Sequence, residues 1–523
     1  MSSSAARSIS HAAARAARLR GIPLEDPAAV LRMPLPDLLV SGGDDRLLPI
    51  GDSGINAYGC ASRPRNDVAE FASSTATTIS ERAFDQAETA RTDLIERIQT
   101  EGPEAAFDGR VEEMRHELRA TLDIDDGTEI VFAPSGTDGA LFAVFLARTL
   151  LGGPFVNIMM VAEETGKGIP FASIGRHFST CTALGHSVMR GEPVEGLPRG
   201  MASLGFSGRQ IDGHPIEMPR LDETIAATIR QTMARGTHVL LNAMDCSRTG
   251  LSGPSLACLE DVAVRWPDSV LVLVDACQMR LSRADLNAYL ARNFMVLVTG
   301  SKFFTGPAFS GALLVPKGLA SRVAEITEVP FGFGAYTAKA SWPRPWTGIR
   351  AGLPSDQNFG EWLRWEAALA EMQAYYAVPA DFRQTAVDAF HVAFSAFSEE
   401  INGIASAPCV AMSEGLHRTI APFFLTRRKR PIALDEATAV YRRLNDEISL
   451  AAPGACHFGQ PVAFGLGRDK TIGAFRASLS ARIVSDAWKA DDPAAAQRRL
   501  NGEIARLGAA LERTAFLAAR PKS

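Results

Sequence analysis

Two charged residues close apolar runs in this chain. Asp275 follows Val-Leu-Val-Leu-Val at 270–274, and Lys302 follows Val296-Leu-Val-Thr-Gly-Ser301. Short β-branched runs of this kind read as buried strands, so each charge emerges where a strand leaves its sheet. A carboxylate and an amine thereby reach the same edge of one sheet. Either charge alone is costly there unless it has a partner. An amine so placed can attack a carbonyl carbon and act as a local base, and a carboxylate can hold a cationic nitrogen. The plain alternative is a buried Asp-Lys pair ending two ordinary strands.

The neighbouring residues favour chemistry. Asp275-Ala-Cys-Gln278 resembles the Asp-x-x-Gln of the fold-type I pyridoxal 5'-phosphate (PLP) enzymes of the class V aminotransferase and cysteine desulfurase superfamily. Thr299-Gly-Ser-Lys302-Phe303, followed by Gly306-Pro307 and Gly311-Ala-Leu313, is similar to its Schiff-base segment, with Ser301 where the family usually has His. The resemblance implies PLP as cofactor, with Lys302 as Schiff-base lysine and Asp275 on the pyridinium nitrogen. It places Gln278 on the ring hydroxyl and Thr299 and Ser301 among the cofactor contacts. Earlier in the chain, Ser135-Gly136-Thr137 stands between a strand-like run (Glu129 to Phe132) and a helix. Its N-H groups, hydroxyls and helix dipole suit a phosphate, and the superfamily's phosphate loop occupies this place. Arg476 matches the arginine of the family's Arg-x-Ser strand, which grips the substrate's α-carboxylate with a bidentate fork.

Other matches are partial. Relatives set an aromatic or His ring after the strand at 155–162, to stack on the pyridine. Here Glu164 and Thr165 hold that place, with Phe171 and His177 further on. Met244 to Pro254 is similar to the turn that lies over the ring. Arg350, Gly352 and Asn358 keep part of a stretch that in relatives reaches the partner subunit, so a homodimer is expected.

These residues need a scaffold to bring them together. Strands and helices alternate from Ile130 to Val315, which predicts an α/β fold with a mainly parallel, doubly wound sheet. Its site should lie at the carboxyl ends of the strands. The resemblance makes this the PLP-dependent transferase fold type I, with a smaller α/β C-terminal domain. The expected divisions are an irregular N-terminal arm at 1–79, a large cofactor-binding domain at 80–340, and a linker helix with the small domain at 341–523. Stripes at helical spacing (Ala83, Ala87, Ala90, Leu94; Phe107, Val111, Met114, Leu118) are core. A strand is expected over Ala474 to Val484, and Arg427 to Arg430 reads as a solvated loop.

Composition narrows the rest. The 523 residues, 46% hydrophobic and 22% charged, are those of a globular protein of two or three domains. A net charge of -5 gives no reason to expect nucleic acid, and no apolar run is long enough for a membrane span. Seven scattered cysteines form no disulfide framework, which points to a reducing, cytoplasmic setting. Arg7, Arg15, Arg18 and Arg20, in an acid-free N-terminus, fit either a transit segment or an amphipathic helix. The expected activity is amino-group transfer on a small amino acid or amine, with no metal. The rivals are a PLP-dependent lyase, for which Cys456 is the desulfurase-type nucleophile to examine, and a PLP-binding protein without catalysis.

Overall fold

The computed structural model describes residues 26–51, 53–160, 164–408, 415–466 and 471–520. The Arg-rich N-terminus and Cys409 lie outside the described residues. Short helices (Pro27–Leu31 and Leu35–Leu39) open the described chain, and strand β1 (Ala69–Phe71) follows. The arm, expected to be irregular, therefore contributes regular elements.

The large sheet comprises β2 (Glu129–Ala133), β3 (Phe155–Met160), β4 (Ala202–Phe206), β5 (His238–Met244), β6 (Val270–Asp275), β7 (Met295–Thr299) and β8 (Gly311–Val315). They lie in the order β2-β8-β7-β6-β5-β3-β4. The run from β4 to β7 is parallel, as the alternation of elements predicts. Only β8 runs against its neighbours, because the loop after β7 is too short for a crossover helix. β6 and β7 are buried along their whole length. Covered on both faces, they read as continuous apolar runs instead of alternating ones.

Register fixes the working edge. Ala133, Gly311 and Thr299 stand in one row across β2, β8 and β7, and Met244, Asp275 and Leu297 stand in another across β5, β6 and β7. Helices α1 (Glu81–Glu101), α2 (Pro103–Leu122) and α4 (Phe359–Tyr376) cover one face, while α3 (Gly136–Leu151) covers the other. α3 is apolar nearly all round because Phe142 and Phe145 pack outward on Trp342 and Phe333, with rings 5.0–6.1 Å apart.

The second sheet is built from β9 (Ile404–Ser406), β10 (Ile420–Arg427), β11 (Arg430–Pro431), β12 (Cys456–Leu466) and β13 (Thr471–Ser478), backed by α5 (Leu434–Ser449) and α7 (Pro493–Ala519). β1 adds to it in parallel, with Glu70 opposite His457 on β12. The strand expected to reach Val484 ends at Ser478. Ser480 instead caps α6 (Ala481–Ala487), accepting from Ile483 N at 3.3 Å, the usual work of a serine at a helix start. The basic cluster is the turn between β10 and β11, with Arg428 and Lys429 at positive φ. No helix among the described residues is long and apolar enough to cross a membrane.

Candidate active site

Lys302 follows β7 on a loop that has little freedom. A Cβ at Gly300 or Gly306 would meet Ala368 Cβ of α4 at 2.4 and 2.5 Å, so only glycine fits at either place. Gly300 N donates to Ser310 O at 2.8 Å, and Thr305 N to Lys302 O at 3.0 Å. The lysine amine donates to the carbonyl of Thr75. Burial, assisted by Arg476 and Arg46, brings Lys302 down to about 8, against the pull of the Cys277 thiol. An amine poised near neutrality is a usable nucleophile and base.

Asp275 ends β6, 8% exposed, and accepts Cys277 N at 3.1 Å. Burial raises its pKa, and Lys302 is close enough to act against that rise. The two predicted residues therefore share one electrostatic neighbourhood. Gln278 is fastened at both ends: Nε2 donates to Ser74 O at 3.0 Å and Oε1 accepts from Arg280 at 2.8 Å. Thr299 Oγ1 donates to Cys277 O at 2.7 Å, and Ser301 is buried beside it.

Ser135 caps α3, its Oγ accepting from Thr137 N at 3.2 Å and Asp138 N at 3.3 Å. Gly136 is required, since a Cβ would sit 2.6 Å from Cys277 Sγ. The loop from β2 thus lies directly against the Asp275 turn. Asp138 was not anticipated: its carboxylate accepts from Ser135 Oγ at 2.5 Å, and burial pushes its pKa up to about 7. Arg46 was also missed. It grips Asp44 through Nε at 2.8 Å, lies over the Phe309 ring at 4.8 Å, and acts electrostatically on both Asp138 and Lys302. A helix start with small residues, a near-neutral carboxyl and a nearby guanidinium fits a phosphate.

Arg476 on β13 is 1% exposed. Its guanidinium donates to Ser74 Oγ at 3.2 Å, Thr75 Oγ1 at 2.5 Å and Gln460 O at 2.5 Å. Burial lowers its pKa to about 9, and Arg248 adds to the fall. Arg280, equally buried, donates to Ser73 Oγ, Thr419 Oγ1 and Gln278. The stretch Ser73 to Thr75 thus runs across the whole site, touching Gln278, Arg280, Lys302 and Arg476. Sequence reasoning passed over it, though its signal was present as Ser-Ser-Thr-Ala-Thr-Thr, a run of hydroxyls that is wholly buried.

Among the described residues, Glu164 and not a ring occupies the expected stacking place. Glu164 pairs with Arg209 at 2.7 Å and accepts from Ser247 Oγ at 2.6 Å and from Thr249. It braces the turn after β5, while Arg209 lies flat over Phe464 at 3.9 Å. His177 stacks on Tyr336, and Phe171 lies under Arg190. Arg350 bonds Lys339 O, Trp342 O and Asp108, and Asn358 caps α4. Cys456 is buried in β12, its Sγ facing Ala510 O and Thr514, with its pKa pushed up to about 12. A thiol so placed is not the loop nucleophile a desulfurase needs.

No protein-family model and no curated protein matches the sequence. Among solved structures, mouse CSAD in apo form is similar over 88% of this chain and 85% of its own, at 13% identity and a TM-score of 0.52. The cysteine desulfurase CsdA of Escherichia coli (14% identity, 86% and 96% covered, TM-score 0.49) and a C-DES variant with glycine covalently linked to the PLP cofactor (16%, 85% and 97%, 0.49) are also similar. At such identities the likeness is one of fold, and the fold is the expected type I.

Proposed function

We propose that this protein is a PLP-dependent enzyme acting on an amino acid or amine, with amino-group transfer as its reaction. The observation that carries the reading is the convergence of Lys302 and Arg476, two enclosed cations, on the neutral oxygens of one residue, Thr75. When bound, PLP supplies an electron sink for a bond breaking at the substrate's α-carbon. Lys302 would hold the cofactor through its amine and afterwards move a proton at that carbon. Asp275 would pair with the ring nitrogen, Ser135, Gly136 and Thr137 would hold the phosphate, and Gln278, Thr299 and Ser301 would line the ring. Arg476 would orient the substrate's carboxylate. Cys456, buried in β12, is not used as a nucleophile in this reading. The homodimer inferred from the resemblance is part of the proposal and is read by sedimentation.

The test is spectroscopic and then kinetic. PLP added to the purified chain should give a visible band that borohydride removes while fixing the cofactor to Lys302. Amino acids should then yield keto acids only when an acceptor keto acid is present. Ammonia or sulfide released without an acceptor would make it a lyase, and a band with no turnover would leave binding alone.

A further inference from the structure

We propose that Thr75 is a built-in competitor for the substrate's carboxylate: its hydroxyl and carbonyl occupy Arg476 and Lys302 until an anionic ligand displaces them. The inference rests on the function proposed above and concerns the protein's own residues. Thr75 lies between the end of β1 at Phe71 and the helix cap at Ser80. Its Oγ1 accepts from Arg476 Nη2 at 2.5 Å, and its carbonyl accepts from Lys302 Nζ. One residue therefore bridges Arg476, which a substrate would address with its carboxylate, and Lys302, which would hold the cofactor.

The exchange favours the ligand. Thr75 and Ser74 offer Arg476 neutral hydroxyls, whereas a carboxylate offers a charge-assisted, two-pronged bond in a dry setting. From Thr75 to Thr77 the stretch is also seated in a way that can be given up, whereas Ser73 and Ser74 stay tied to Leu479 O, Arg280 and Gln278. Its local backbone bonds are Thr75 N and Ala76 N to Ala72 O, at 2.7 and 3.2 Å, and Thr77 Oγ1 is buried with no partner among the described residues. On either side it is held firmly. His457, fully buried, reaches Glu70 Oε2 with Nδ1 at 2.9 Å and Tyr58 O with Nε2 at 2.7 Å, and Arg482 donates to Thr78 O at 3.0 Å. Displacement is thus confined to about residues 75–77, while the arm stays attached to β12.

The experiment uses the full chain without cofactor and titrates propionate, a carboxylate with no amine, by calorimetry. Thr75→Ala removes the competing hydroxyl and should tighten propionate binding by roughly tenfold. Thr75→Ser should bind as the unsubstituted chain does, and propionamide should not bind. Saturating propionate should speed hydrogen exchange of the amides at 75–77. Equal or weaker binding by Thr75→Ala, protection of those amides, no propionate binding at all, or binding that survives Arg476→Gln would each overturn the proposal. General damage to the fold does not tighten a ligand, so the expected gain separates competition from a structural role. A chain that shows the Thr75 effect but no borohydride-sensitive band keeps the competitor and loses the PLP reading; a chain with the band and no Thr75 effect does the reverse.

Discussion

Charges are compensated differently in two regions of this molecule. Between α1, α2 and α4, the buried carboxylates Glu366 and Glu371 meet half-buried arginines. Arg110 reaches Glu366 at 2.7 Å and Glu117 at 2.6 Å, Arg82 reaches Glu371 at 2.7 Å, and Trp362 Nε1 donates to Glu366 at 2.7 Å. At the sheet edge, Lys302, Arg280 and Arg476 bond carbonyls, hydroxyls and one side-chain amide among the described residues. Enclosing a charge is expensive unless an opposite one accompanies it. These two carboxylates find their partners within the helical layer, so their ion pairs are architecture. Arg280 and Arg476 have no carboxylate among these hydrogen-bond partners, and in the proposed reading the negative partner of Arg476 is the substrate.

The largest effect should come from Lys302. Lys302→Ala removes the borohydride-fixed attachment and should lower turnover on the order of 1000-fold, checked by single-turnover absorbance; turnover preserved within tenfold would make the lysine architecture after all. Next, Arg476→Gln should cost about 100-fold in kcat/KM, mostly through KM. Its urea unfolding midpoint should hardly move, because a buried charge without a carboxylate leaves with it. Glu366→Gln should show the opposite profile. It leaves Arg110 without its innermost partner and should cost about 2–3 kcal/mol of unfolding free energy, with cofactor affinity unchanged. If both substitutions destabilise the chain alike, the distinction between edge and helical layer is lost.

The legibility of these two regions differed for a physical reason. Strands β5 to β8 were readable because both of their faces are covered, which forces an apolar run and leaves the emerging Asp275 and Lys302 conspicuous. The helix stripes were readable because burial recurs at 3.6 residues. The Ser135-Gly-Thr137 turn was readable as a helix start because serine is a common cap, and its Gly136 is pressed on Cys277. What escaped was everything delivered from far away in the chain. Ser73 to Thr75 bond to residues more than 200 positions later, and no local spacing encodes such a meeting. Arg46 sits in an unremarkable Gly-Asp turn and gains its place from packing on Phe309. The end of β13 was misjudged because Ala-Arg-Ile-Val suits a strand as well as a helix, and only the cap at Ser480 decides between them.

The smallest predicted effect probes Asp138, a carboxyl group at the helix start proposed to hold the phosphate. Asp138 has its pKa raised to about 7 by burial. Below pH 7 it is mostly neutral and compatible with a phosphate dianion; above, it adds a negative charge at the same helix start. PLP affinity should therefore fall as pH rises through 7. Lys302, down at about 8, gives the opposite trend, since its free amine forms as pH rises. Pyridoxal, which lacks the phosphate, reports the lysine alone. The ratio of PLP to pyridoxal affinity should thus drop about three- to tenfold between pH 6 and 8 and stay flat in Asp138→Asn. The unloaded chain carries the same signature. A carboxyl group whose pKa is raised on folding stabilises the fold at low pH and loses that contribution between about 4, its unfolded value, and about 7. Stability should decline over that window in the unsubstituted chain and decline less in Asp138→Asn. A pH-independent affinity ratio in the unsubstituted chain would mean that Asp138 does not face the phosphate, and would leave Ser135 to Thr137 as an ordinary helix cap.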